Sequence, residues 1–313
     1  APARVEPMTA GVIKAAVIGH PVAHSLSPRI HGYWMEKCGL QGCYEAIDVP
    51  CENLAAALSR LVQQNYAGFN VTLPHKEAIM ALCEQVDDQA RAVGAVNTIV
   101  VRDGKLHGTN TDVFGFIQNI RTARTDFDFT AGPAVVLGAG GAARAAVYGL
   151  LQQGAPEIVL VNRTLERAEA LAKSFKKTPH PILAVGSDHP LPGEREGTQR
   201  EMGRVRGEIK VMPWEERSIA LKNAALLVNT TALGMAGKER LEINLDMLPQ
   251  TALVNDIVYH PLMTDLLQAA HARGNLIVTG IGMLLHQARP AFEAWFGVMP
   301  DIDQELMQRL GLS

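Results

Sequence analysis

Short apolar runs alternate with amphipathic stretches along most of this chain. From Lys14, "KAAVIG" reads as a strand and "PRIHGYWMEKC" as a helix, then "CYEAIDV" as a strand and "ENLAAALSRLVQQ" as a helix. "AGFNVT" reads as a third strand and "PHKEAIMALCE" as a third helix, with Lys76 in its first turn. Such alternation predicts an α/β fold with a largely parallel sheet. The pattern breaks around "RTARTDFDFTAGP", which places a hinge between about Thr111 and Pro133. A second series follows, with "PAVVLG", "EIVLVN", "AALLVN" and "TALVND" as strands. Within it, residues 178–208 are rich in Gly, Pro and charge and read as a surface insertion. The last helical patterns, "HQARPAFEAWFG" and "DQELMQRLG", are amphipathic and suited to packing back on the first domain.

Composition narrows the class. A chain of 313 residues accommodates two domains. Its net charge of -3 leaves no footprint for nucleic acid. No apolar run reaches the roughly 18 residues that span a bilayer. The opening "APARVEPMTAG" lacks a basic region followed by an apolar core, so it reads as a loose tail and not a secretory signal. Cys38, Cys43, Cys51 and Cys83 show neither disulfide nor zinc spacing. They are expected to be reduced core thiols of a cytoplasmic protein. The histidines, His24, His31 and His75 among them, show no metal spacing and are expected at the surface or behind a site.

Chemistry enters with "VVLGAGGAARAAVYGLL", where Gly138, Gly140 and Ala143 form a G-x-G-x-x-A frame after a strand and before a helix. Glycine there permits a tight turn and brings a pyrophosphate to the helix N-terminus. A plain strand-helix turn with small packing residues is the alternative. At the end of the next strand an NAD-binding protein presents an acid to the ribose. Here the residues are Asn162, Arg163 and Thr164, with Arg167 one turn on. Guanidinium forks suit a 2′-phosphate, which favours NADP over NAD.

Three further stretches concentrate polar side chains: "GFNVTLPHKEA" with Asn70, Thr72 and Lys76, "GAVNTIV" with Asn97, and "HGTNTDVFGF" with Asp112. A lysine at a helix N-terminus opposes the helix dipole, so stability does not select it. As a bare pair, Lys76 and Asp112 are most simply a structural salt bridge. "GHPVAHSLSPRIH" adds Ser25 and Ser27 before a helix start. Ser27 is placed to cap that helix, and a helix N-terminus also seats an anion.

Together "HSLSP", "NVTLPHK", "GAVNT", "NTD", "GAGGAAR", "NRT" and G-x-x-M-L-x-x-Q resemble the shikimate dehydrogenase family, in order and spacing, from about Lys14 to the C-terminal end. The resemblance implies a two-domain α/β enzyme with its active site in the cleft between domains. A mostly parallel substrate domain, 1–112, would be completed by C-terminal helices, 285–313. A Rossmann-like NADP domain would span 113–284 and carry the 178–208 insertion. The implied activity is reversible reduction of 3-dehydroshikimate to shikimate by NADPH, a step of aromatic amino-acid biosynthesis.

Residue by residue, the resemblance makes Lys76 catalytic and pairs it with Asp112, which also holds the substrate. Ser25 and Ser27 would bind the substrate carboxylate, Asn97 a ring hydroxyl, and Thr72, Tyr259 and Gln287 the rest of the ring. Gly138, Ala139, Gly140, Gly141 and Ala142 would form the pyrophosphate turn. Asn162, Arg163, Thr164 and Arg167 would take the 2′-phosphate. Ile257, Gly280 and Met283 would line the nicotinamide, and Asp88 is also linked to the cofactor. No metal is implied. Thr109, Thr230 and Ala232 depart from the family's commoner residues. They leave open a relative that prefers quinate or another ring acid. A non-catalytic shikimate sensor is the reading from another class, and intact Lys76 and Asp112 oppose it. Length argues against a dehydratase fusion, and a monomer or homodimer is expected.

Overall fold

The structure is a computed structural model that describes residues 12–176 and 207–312. The expected N-terminal tail and nearly all of the 178–208 insertion lie outside the described residues. The chain divides into two compact units. One comprises the residues up to Ala90, Ala95–Thr111 and Ala288 onward; the other comprises Arg91–Gly94 and Asp112–Gln287.

The first part of the chain runs β1 (Ile13–Gly19), α1 (Ser27–Lys37), β2 (Gly42–Asp48), α2 (Leu54–Gln63) and β3 (Tyr66–Val71). It continues through β4 (Gln85–Val86), α3 (Asp88–Val93), β5 (Thr98–Arg102) and β6 (Lys105–Thr109). These strands form a six-stranded sheet ordered β2-β1-β3-β5-β6-β4. β1 pairs parallel with both β2 and β3, whereas β5 is antiparallel to β3 and β6. The sheet is therefore mixed, because the tight β5–β6 hairpin reverses direction where the parallel portion uses helices. α2 buries Leu54, Ala57, Leu58 and Leu61, the i, i+3, i+4, i+7 stripe of an amphipathic helix, against Ile18, Phe69 and Ile99. Each fully buried leucine there contributes roughly 1.5–3 kcal/mol.

The remaining elements are α4 (Asp112–Ala123), β7 (Ala134–Leu137), α5 (Gly141–Gln152), β8 (Glu157–Asn162), α6 (Leu165–Lys176) and β9 (Glu208–Pro213). Then come β10 (Leu226–Asn229), β11 (Leu253–Asp256), α7 (Asp265–Ala272), β12 (Leu276–Val278), α8 (Ile281–Phe296) and α9 (Gln304–Leu310). The second sheet is ordered β12-β11-β10-β7-β8-β9 and is parallel throughout. Counting from β7, this is the doubly wound 3-2-1-4-5-6 order of dinucleotide-binding folds. Its central strands are buried along their whole length, which is why they read as unbroken apolar runs. The last part of α8 returns to the first unit, where the Trp295 indole N–H donates to the Ile99 carbonyl at 2.9 Å. α9 is capped by Asp303, whose carboxylate accepts from the Leu306 amide at 2.8 Å.

Several expectations are corrected. Residues 74–84 form turns and a 3-10 helix over Ala78–Leu82, not an α-helix. The Lys76 carbonyl, which would serve an α-helix, instead accepts from the Val96 amide at 2.8 Å. Lys76 therefore does not stand in the first turn of an α-helix. The cap of α1 is Leu26, whose carbonyl accepts from Arg29 and Ile30; Ser27 is already inside the helix. All four cysteines are free, but three are half-buried and Cys51 is exposed, so none is a core thiol. His31 and His75 are core residues. The His75 Nε2 lies 2.6 Å from the Val49 carbonyl, and His31 stacks on Tyr44 with ring centroids 4.0 Å apart. Burial pushes the His31 pKa down to about 3, the nearby Asn70 side chain opposing. Among the described residues no helix is long and apolar enough to cross a membrane.

Candidate functional site

In the first unit the candidate residues follow the C-terminal ends of parallel strands, where open α/β sheets bind ligands. β1 leads to Ser25 and Ser27, and β3 to Thr72 and Lys76. The exits are laced together: the Thr72 amide donates to the Ile18 carbonyl at 2.9 Å, and the Val49 amide to the Gly19 carbonyl at 2.9 Å. The half-buried Ser25 hydroxyl accepts from the Ser27 amide at 3.3 Å. Ser27 is 4% exposed, and its side chain lies against the Tyr44 hydroxyl. Burial drives the Tyr44 phenol well above its ordinary pKa, with Ser27 opposing.

From Tyr44 a buried polar chain continues. The Tyr44 hydroxyl donates to Asn70 Oδ1 at 2.6 Å, and Asn70 Nδ2 donates to the Thr98 hydroxyl at 3.2 Å. Thr98 donates to Asn97 Oδ1 at 3.1 Å, while Asn97 Nδ2 donates to the Thr111 hydroxyl at 2.9 Å. Buried amides of this kind are stable only when partnered, so the chain fixes the orientation of Asn97. The Val71 amide also donates to the Asn97 carbonyl at 2.7 Å. Lys76 is tied to Val96, the neighbour of Asn97, so the structure brings Ser27, Thr72, Lys76 and Asn97 to one end of one sheet. Tyr44 and Thr98 were missed in the sequence, because their role depends on cross-strand neighbours. Asp88 stands exposed at the start of α3, and it is Asp87 whose carboxylate accepts from the Ala90 amide at 2.6 Å.

The glycine motif occupies the β7–α5 turn of the second unit. Gly138 has φ +112°, a conformation that disfavours a side chain, and a Cβ there would meet the Thr230 hydroxyl at 2.6 Å. Thr230 in turn donates to the Leu137 carbonyl at 2.6 Å. These contacts seal β7 against β10, the strands at the topological switch point. Ala139 and Gly141 are buried, Gly140 and Ala142 half-buried. A Cβ on Gly140 would meet nothing within 4 Å, and no side chain caps the N-terminus of α5. A helix N-terminus open at Gly140 and without a side-chain cap suits a pyrophosphate.

At the end of β8, Asn162 Nδ2 donates to the Thr164 carbonyl at 2.7 Å and shapes the turn into α6. Arg163, Thr164 and Arg167 are exposed there and line a pocket of about 600 Å³ with Asn162, Trp214, Lys238 and Glu239. The end of β8 carries no acid, and two arginines face the pocket. That donor set fits a 2′-phosphate.

Ile257 and Gly280 are in direct contact: a side chain on Gly280 would collide with the Ile257 carbonyl. Met283 and Gln287, 7% and 8% exposed, lie on α8. A Cβ on Gly115 would meet Gln287 Cβ and the Met283 carbonyl, each at 2.7 Å. Gly115 is one turn beyond Asp112 on α4, so the Asp112 turn packs close to the Gln287 turn. Asp112 itself is 3% exposed. Tyr259 is half-buried in the loop after β11. That loop is gathered by Asp256, whose carboxylate accepts from the Val258 amide at 3.0 Å, Asn229 at 3.0 Å and the Thr264 hydroxyl at 2.7 Å. Burial raises the Asp256 pKa to about 6 against the pull of these bonds. Among the described residues, no group of three or more His, Cys, Asp or Glu is arranged to hold a metal.

Comparison with known proteins gives a consistent picture. Residues 17–99 match the family model for the shikimate dehydrogenase substrate binding domain. Residues 121–186 match that for shikimate / quinate 5-dehydrogenase, and 280–307 that for the shikimate 5′-dehydrogenase C-terminal domain. A protein of Paramagnetospirillum magneticum named shikimate dehydrogenase (NADP(+)) is 48% identical over 293 residues, 93% of this chain and 95% of its own. One of the same name from Rhodospirillum rubrum is also 48% identical, over 93% and 94%. The crystal structure of shikimate 5-dehydrogenase from Thermus thermophilus, in complex with NADP(H) and shikimate, superposes with a TM-score of 0.78 at 34% identity. It covers 96% of this chain and 100% of that one.

Proposed function

This chain belongs to the shikimate dehydrogenase family, and on that premise we propose that it reduces 3-dehydroshikimate to shikimate with NADPH, reversibly, in the cytoplasm. The observation that carries the cofactor reading is the acid-free end of β8, where Arg163 and Arg167 line one pocket.

Within that reading the residues divide the work. Ser25 and Ser27 hold the substrate carboxylate through their hydroxyls. Thr72, Asn97, Tyr259 and Gln287 orient the ring, and Asp112 holds a ring hydroxyl and steadies Lys76. Gly138 to Ala142 seat the pyrophosphate on backbone amides, with Asn162, Arg163, Thr164 and Arg167 on the 2′-phosphate. Ile257, Gly280 and Met283 form the wall for the nicotinamide, and Asp88 serves the cofactor from α3. NADPH, when bound, supplies the hydride for the carbonyl carbon. Negative charge then develops on the carbonyl oxygen. The Lys76 ammonium stabilises that charge and gives its proton to the oxygen; in the reverse direction the amine takes the proton back.

The test is initial-rate measurement at 340 nm with shikimate and quinate, each with NADP and NAD. The expected result is turnover with shikimate and NADP exceeding the other combinations. Absence of any absorbance change would favour a silent binding protein.

A further inference from the structure

The following rests on the reading of the β8 end as the seat of the 2′-phosphate. We propose that Trp214 and Glu239 set the preference of this protein for NADP(H) over NAD(H) by acting in opposite senses on Arg163. Trp214 holds the guanidinium ready, and Glu239 competes with phosphate for it.

Sheet register creates the first relationship. β8 and β9 pair with Asn162 opposite Pro213, so the residues that leave the two strands, Arg163 and Trp214, emerge side by side. The Arg163 guanidinium carbon lies 5.8 Å from the centre of the Trp214 ring. Planar guanidinium groups stack on indole faces, and stacking leaves their N–H edge free for phosphate oxygens. Trp214 is a firm support. It is half-buried, packs against the core of its unit, and carries Arg217 at 5.1 Å from its ring centre. Arg217 is itself anchored, donating to the Glu242 carbonyl at 2.6 Å and to the Trp214 carbonyl at 2.9 Å.

The second relationship opposes the first. Arg163 Nη2 donates to Glu239 Oε2 at 2.8 Å. Glu239 closes a compact loop in which the Gly234 amide donates to the Glu239 carbonyl at 2.8 Å, so the carboxylate is presented from a fixed base. Both side chains are exposed, and an exposed pair of this kind is weak. A doubly charged phosphate displaces it. While in place, however, the carboxylate occupies the N–H edge that phosphate needs and repels phosphate itself. A ribose bearing a free 2′-hydroxyl meets no such opposition. Trp214 therefore favours NADP(H), and Glu239 moderates that preference.

Calorimetric titration with 2′,5′-ADP (adenosine 2′,5′-bisphosphate) and with 5′-AMP, which lacks only the 2′-phosphate, separates these effects without turnover. Glu239→Gln is expected to tighten 2′,5′-ADP about threefold, and Trp214→Leu to weaken it about fivefold, with 5′-AMP unchanged in both. Trp214→Phe, which keeps a ring face, is expected to restore most of the loss. Equal changes for both nucleotides would mean that these residues shape the pocket or stack on adenine, and the proposal falls. It falls equally if neither variant alters 2′,5′-ADP while an Arg163→Ala control weakens it. An Arg163→Ala protein that binds both nucleotides as wild type does overturns the underlying seat and the proposal with it.

Discussion

Gly280 and Ile257 touch so closely that the carbonyl oxygen of Ile257 occupies the space where any side chain on Gly280 would begin. Both residues belong to the proposed nicotinamide wall, so the contact joins packing to chemistry. Gly280→Ala must push the Ile257 segment outward, and overpacking of this kind costs about 1–3 kcal/mol. The expected outcome is a folded protein with lower Tm, a several-fold higher KM for NADPH and a lower kcat. A variant with wild-type Tm and wild-type kinetics would show that the wall tolerates the shift and has no part in cofactor placement.

Lys76 carries the proton in the proposed reaction. Its backbone is fixed by the bond from Val96, whatever its side chain does. Lys76→Ala is therefore expected to keep the fold and the affinity for NADPH while kcat drops by about 10²–10⁴. Circular dichroism and NADPH fluorescence titration check the first two expectations, and 340 nm assays the third. Near-normal kcat would remove Lys76 from the chemistry.

Ser25 and Ser27 separate binding from stability. Ser25 is half-buried, and its hydroxyl accepts a long bond, 3.3 Å, from the Ser27 amide. Ser27 is buried beside Tyr44. Ser25→Ala is expected to raise the KM for shikimate about tenfold, the worth of one hydrogen bond to a charged group, with Tm unchanged. Ser27→Ala is expected to raise KM and also to cost about 1 kcal/mol of stability. An unchanged KM in Ser25→Ala would sink its assignment to the carboxylate.

Strands such as β7, β10 and β11 were legible because central parallel strands are apolar on both faces. The glycine turn was legible because its chemistry is local: Gly138 needs only its own φ and the neighbouring strand. β9 was not legible. In "EIKVMP" only Ile209 is buried, since an edge strand has one neighbour and little apolar surface to cover. The helix expected over 74–84 failed for a non-local reason, the capture of the Lys76 carbonyl by Val96. Residue type and spacing point to Ser27 as a cap but do not fix which carbonyl starts the helix, and that carbonyl belongs to Leu26. Trp214 and Glu239 lie far from Arg163 in the chain, and only the order β8-β9 and the 234–239 loop bring them to it.

Asp256 provides a prediction in pH. Its carboxyl titrates near 6 in the folded protein, chiefly because burial disfavours the charge, against an ordinary value of 3.8. Between these values the folded state binds more protons than the unfolded state. Linkage then makes this group's contribution to stability fall as pH rises from about 4 to about 6, and leaves it constant above. A shift of about two units corresponds to about 3 kcal/mol across that window. Asp256→Asn removes the titration yet keeps an oxygen for the Val258 amide and an amide group facing Thr264. Urea unfolding at pH 4.5 and pH 7 should therefore show the variant gaining relative to wild type at the higher pH. If burial raises the carboxyl less than this, the gain shrinks in proportion, and equal behaviour at both pH values would mean that the bonds from Asn229, Val258 and Thr264 fully offset desolvation.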